Sequence, residues 1–81
     1  MEDRRTIVMN TTKNDKSMKE VVEIVYSALE ERGYNPIDQM VGYILSGDPS
    51  YITSHNNARN LISRIDRDEL VEEILRKYLN K

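Results

Sequence analysis

All three glycines and both prolines of this 81-residue chain fall between positions 33 and 53, in the run GYNPIDQMVGYILSGDPSYIT. Glycine and proline are the strongest punctuators of regular structure. Their confinement to one segment concentrates the sharp reversals there and leaves the sequence on either side as ordinary helix-forming chain or tail.

The first helix is announced by Ser17-Met18-Lys19-Glu20, an S-x-x-E capping box in which each side chain satisfies the other residue's orphan backbone N–H. Met18, Val21, Val22, Val25 and Leu29 then recur at three- and four-residue spacing, and Gly33 stops the helix at positive φ. Asn35-Pro36 is a helix-start pair: Asn caps with its side-chain oxygen, and Pro fits the first helical position, where its missing N–H is no loss. The second helix runs from about position 36 to 46 with Ile37, Met40, Val41, Ile44 and Leu45 apolar, Tyr43 on the margin and Gly47 as the stop. Gly42 sits inside it at a cost of roughly 1 kcal/mol against Ala, which predicts a close helix or backbone approach at that point.

Asp48-Pro49 repeats the cap-and-proline pattern and opens a single turn reaching Tyr51 or Ile52. After a loop, Ala58, Leu61, Ile62 and Ile65 mark a third helix. Asp66-Arg67-Asp68-Glu69 offers a capping-box variant for a fourth, unless the two run on as one bent helix. In that last segment Leu70, Val71, Ile74, Leu75, Tyr78 and Leu79 form one apolar face opposite Glu72, Glu73, Arg76 and Lys77. Residues 1–16, polar apart from Ile7, Val8 and Met9, read as a mobile tail, and residues 17–81 as one helical domain. The expected fold is therefore all-α, a compact bundle of four to five short helices behind a flexible N-terminal tail. With no Trp, no Phe and 38% hydrophobic residues, its core is thin, so a second subunit would supply burial and a homodimer is expected.

Several chemistries drop out. Without cysteine there is no disulfide, thiolate metal site or cysteine nucleophile. No secretion signal or membrane-length apolar run is present, which makes the cytoplasm the default location, and a net charge of −2 gives no general attraction for nucleic acid or anionic membrane. His55 is the sole histidine and stands among Ser54, Asn56 and Asn57 as a solvated loop residue. Asp66, Asp68 and Glu69 suit the positive end of a helix dipole better than acid–base work. Ser46-Gly47-Asp48-Pro49 has neither the lysine of a phosphate loop nor the flanking glycine of a nucleophile elbow, so no enzyme and no cofactor is expected.

Two candidate functional features remain. Arg59, Arg64 and Arg67, with Tyr51 nearby, make a basic face for an anionic protein partner or a phosphate group. The same face could serve a nucleic-acid-binding domain, although Asp66, Asp68 and Glu69 dilute its field. In the tail, Thr6 follows Arg4-Arg5 and precedes Ile7-Val8, and a phosphate there would add about −1.5 to −2 charge. Thr11 and Thr12 are further acceptors.

Gly33-Tyr34-Asn35-Pro36-Ile37, the stretch from Val41-Gly42-Tyr43 through Ser46-Gly47-Asp48-Pro49-Ser50-Tyr51-Ile52, then Asn57-Ala58-Arg59 and Arg67-Asp68-Glu69-Leu70, closely resemble the IreB/ReoM family of small regulatory phosphoproteins. The similarity runs in order, without large gaps, from about position 25 to 79. The resemblance implies a compact all-α homodimer without enzymatic activity, phosphorylated on an N-terminal threonine by a membrane-anchored Ser/Thr kinase with PASTA domains and reversed by a cognate phosphatase. It further implies control of peptidoglycan synthesis and of tolerance to cell-wall antibiotics through a downstream protein partner. Thr6 matches the family's tail threonine, because a threonine followed by apolar residues and Asn10 stands at the corresponding distance before the first helix.

Overall fold

The computed structural model describes residues 16–81. Four α-helices follow in order: α1 (Met18–Glu31), α2 (Pro36–Ser46), α3 (Ala58–Ser63) and α4 (Arg67–Leu79), with 3-10 turns at Pro49–Tyr51 and His55–Asn57 between α2 and α3. Every regular element among the described residues is helical, as the sequence predicts. Thr6, Thr11, Thr12 and the Ile7-Val8-Met9 triplet lie outside the described residues.

The local signals decide most boundaries. Ser17 accepts from the Glu20 amide at 3.1 Å while Glu20 Oε1 accepts from the Ser17 amide at 2.9 Å, closing the capping box on α1. Those bonds hold the Glu20 carboxyl below its ordinary 4.5. At the other end the Gly33 and Tyr34 amides donate to the carbonyls of Glu30 and Leu29, the paired bonds of a Schellman stop. Asn35 caps α2 through the Asp38 amide at 3.2 Å, with Pro36 leading the helix.

Two boundaries differ from expectation. Asp66 stands at the N-cap of α4, but its side chain makes no capping bond; Asp68 Oδ1 takes the Glu69 amide instead, at 3.0 Å. The third and fourth helices are separate, as the two start signals predict, but α3 begins only at Ala58, behind a kink at which Asn56 and Asn57 both take left-handed φ, 54° and 62°. Asparagine tolerates that region because its short polar side chain can bond locally, and here Asn57 Oδ1 accepts from Asn60 Nδ2 at 2.9 Å.

The core is built around α1, which packs against both α2 and α3. Val21, Val25, Ala28 and Leu29 of α1 are buried with Met40 and Tyr43 of α2, Ile52 of the connector, Ala58 and Ile62 of α3, and Leu70 of α4. Tyr43, expected at the margin of α2, is only 5% exposed and belongs to the core. Ile37, Val41 and Leu45 face outward instead, because the helix turns its 40–43–44 side toward α1. The apolar face of α4 is likewise buried only at Leu70; Ile74, Leu75, Tyr78 and Leu79 are exposed on the protomer.

Candidate functional site

The corner between α2 and α3 gathers most of the residues singled out from the sequence. The C-terminal turn of α2 leaves carbonyls without helical donors, and three neighbouring groups donate to this end of the helix. The Gly47 amide donates to Tyr43 O at 2.7 Å, the Ser46 hydroxyl to Gly42 O at 2.7 Å, and Arg67 Nη1 from the start of α4 to Ile44 O at 2.9 Å. Gly47 combines φ 76° with the Arg67 guanidinium against its Cα, where a Cβ would meet Cζ at 2.7 Å. Glycine takes the left-handed backbone without strain and leaves the guanidinium its place.

Beyond Gly47, the Asp48 carboxylate accepts from the Ser50 amide at 2.9 Å and starts the 3-10 turn. That bond, aided by the charge of Arg59, holds the Asp48 carboxyl below its ordinary 3.8. The turn is then tied down from both directions. Gln39 Nε2 of α2 donates to Tyr51 O at 3.0 Å, and Arg59 Nε of α3 donates to Ile52 O at 2.8 Å. Tyr51 lays its ring over Gly42, so the close approach predicted at that glycine is made by an aromatic side chain of the same chain, not by another helix or backbone.

Tyr51, Arg59 and Arg67 are thus brought to one corner, where the two arginines also hold backbone carbonyls and the Tyr51 ring covers Gly42. Arg64 is not part of it. It follows Ser63 at the end of α3, is exposed, and among the described residues its side chain makes no hydrogen bond or ion pair. Arg59 and Arg67 keep guanidinium N–H groups beyond those bound to carbonyls, so both can still meet an anionic group.

His55, read as a solvated loop residue, places Nε2 2.8 Å from Glu31 Oε1 and so ties the kink before α3 to the end of α1. No cluster of three His, Asp or Glu side chains suited to a metal occurs among the described residues. Sequence reasoning missed the exposed apolar surface. On one flank of α4, Val71, Leu75 and Leu79 line a shallow depression, and Val71 also borders Ile44 of α2 across a second one. The signal was in the width of the α4 stripe, which spans about half the helix circumference, more than one contact with a thin core can cover.

The sequence profile of the IreB regulatory phosphoproteins matches residues 4–80 of the chain. The chain belongs to the IreB regulatory phosphoprotein family. As a member it is 57% identical over 63 residues to a UPF0297 protein of Lachnoclostridium phytofermentans, an alignment covering 78% of this chain and 72% of that one. Its role is that of a regulatory phosphoprotein, and most of the residues assembled at the α2–α3 corner lie in the stretches that carry the family resemblance. Among the described residues of this family member, no helix is long and apolar enough to cross a membrane.

Proposed function

We propose that the protein is a non-enzymatic cytoplasmic regulator whose tail is phosphorylated on Thr6 by a PASTA-domain Ser/Thr kinase and dephosphorylated by a cognate phosphatase. Its output is control of peptidoglycan synthesis, and with it tolerance of cell-wall antibiotics. The observation that carries this reading is the family match, which begins at position 4 and so spans Thr6 together with the helical body. A phosphate at Thr6 changes the tail by about −1.5 to −2 charges, enough to alter which partner the tail or the Arg59, Arg64 and Arg67 face engages. Thr11 and Thr12 are the alternative acceptors.

The working form is a homodimer. Ile37, Val41 and Leu45 on α2 and Leu75 and Leu79 on α4 are exposed on the protomer, and apolar area of this kind on a small domain favours a second copy. Phosphopeptide mass spectrometry after incubation with the kinase tests the reading: a single phosphate on Thr6, lost in Thr6→Ala, is expected. Phosphate confined to the helical body, or none at all, overturns it.

A further inference from the structure

The flank of α4 that faces α1 carries a feature distinct from the flat Val71, Leu75 and Leu79 surface. Met18 and Val22 of α1 and Leu70 and Ile74 of α4 wall a hollow of about 120 Å³, more enclosed than the depressions on the other flank. Lys19, Glu23, Glu73 and Lys77 complete the walls with their methylene stems, so the lining presents no polar atom. Enclosed aliphatic cavities of about 150 Å³ accept small apolar groups, and this hollow, open on one side, offers an apolar lining of the same kind. We propose that this hollow docks a segment of the same chain, the Ile7-Val8-Met9 triplet that precedes α1.

Position favours that occupant over a separate one. The first wall residue, Met18, lies just beyond the N-terminal segment, so the tail enters the structure beside the hollow. Residues 10–16 span up to roughly 25 Å when extended, whereas Met18 and Val22 are separated by about 6 Å along the helix. The chain therefore has ample length to turn back. Among residues 2–16 the triplet is the only apolar run, and the hollow selects for aliphatic groups alone. Its rim bears both signs, Glu23 and Glu73 against Lys19 and Lys77. The tail supplies the counterparts in Arg4-Arg5 and Glu2-Asp3.

Docking holds Thr6 at the mouth of the hollow, one residue from Ile7. The contact itself does not rest on the kinase reading and is tested on unmodified protein. In the methyl-labelled full chain, nuclear Overhauser effects are expected between Ile7 or Val8 methyls and those of Val22, Leu70 or Ile74. Samples mixing labelled and unlabelled chains should show them to be intramolecular. The tail double variant Ile7→Asp/Val8→Asp, which leaves the described core untouched, should shift the Val22 and Ile74 methyl signals and abolish the cross-peaks, and Ile74→Gln should abolish them from the other side. Absence of the cross-peaks, cross-peaks arising only between chains, or Val22 and Ile74 signals indifferent to the tail variant would each overturn the proposal.

Discussion

The ring of Tyr51 lies directly on the backbone of Gly42: a Cβ on that glycine would stand 2.5 Å from Cε1 and 2.6 Å from Cδ1. A glycine that weakens α2 by its own propensity is thus required by a contact nine positions further along the chain.

Gly42→Ala should destabilise the fold by about 1 kcal/mol, since overpacking costs about 1–3 kcal/mol and improved helix propensity returns about 1 kcal/mol. In a Tyr51→Ala background the same change should stabilise by roughly 0.5–1 kcal/mol. Urea denaturation of the four proteins of that cycle measures the coupling, and additive effects would mean the ring moves aside freely.

The three arginines should separate by stability. Arg59→Ala leaves the carbonyl of the buried Ile52 without its donor and should cost about 1–2 kcal/mol, and Arg67→Ala about 1 kcal/mol. Arg64→Ala, with no bond to lose among the described residues, should stay within about 0.5 kcal/mol. Thermal denaturation orders the three, and the Arg64 variant then reports on partner binding with the fold intact.

Acid should weaken the N-caps of α1 and of the 3-10 turn. Glu20 and Asp48 are held below their ordinary values of 4.5 and 3.8, chiefly by bonds with Ser17 and Ser50. A carboxyl lowered on folding contributes stability that is complete above its unfolded value and is lost as pH falls through its folded one. Tm should therefore drop from about pH 5 to pH 2, and Glu20→Gln and Asp48→Asn should each flatten that drop. An unchanged profile in both variants would remove these groups as its source.

Leu45→Glu and Leu79→Glu place charges where the protomer is 79% and 57% exposed, so the monomer fold should survive. Sedimentation should show the proposed homodimer dissociating at least about tenfold more readily in either variant than in the wild type, a change of about 1.4 kcal/mol. Dimers of wild-type strength in both would place the interface elsewhere.

The boundaries of α1 and α2 were legible because a cap, a leading proline or a terminal glycine acts within one helical turn. Ser17 with Glu20, Asn35 with Pro36, and Gly33 all behave as their spacing predicts. Less legible was the distribution of burial. Ile37 reads as part of the apolar face of α2 and Tyr43 as its margin, yet Ile37 is 59% exposed and Tyr43 buried, since periodicity defines a face without saying which part of it a neighbour covers. His55 read as solvent-facing because its partner Glu31 lies on α1, beyond the reach of any local pattern.

The corner of positions 33–53 shows the same division. By itself the sequence determined that the described residues form an all-helical domain, its main starts and stops, and family membership, because capping is local and an ordered match needs no geometry. Only the tertiary structure decided that Gly42 makes room for Tyr51, that Arg59 and Arg67 hold carbonyls of the connector and of α2, and that most of the α4 face is left exposed. Those outcomes depend on which distant groups meet once helices pack, and packing is a property of the assembled elements rather than of any one stretch.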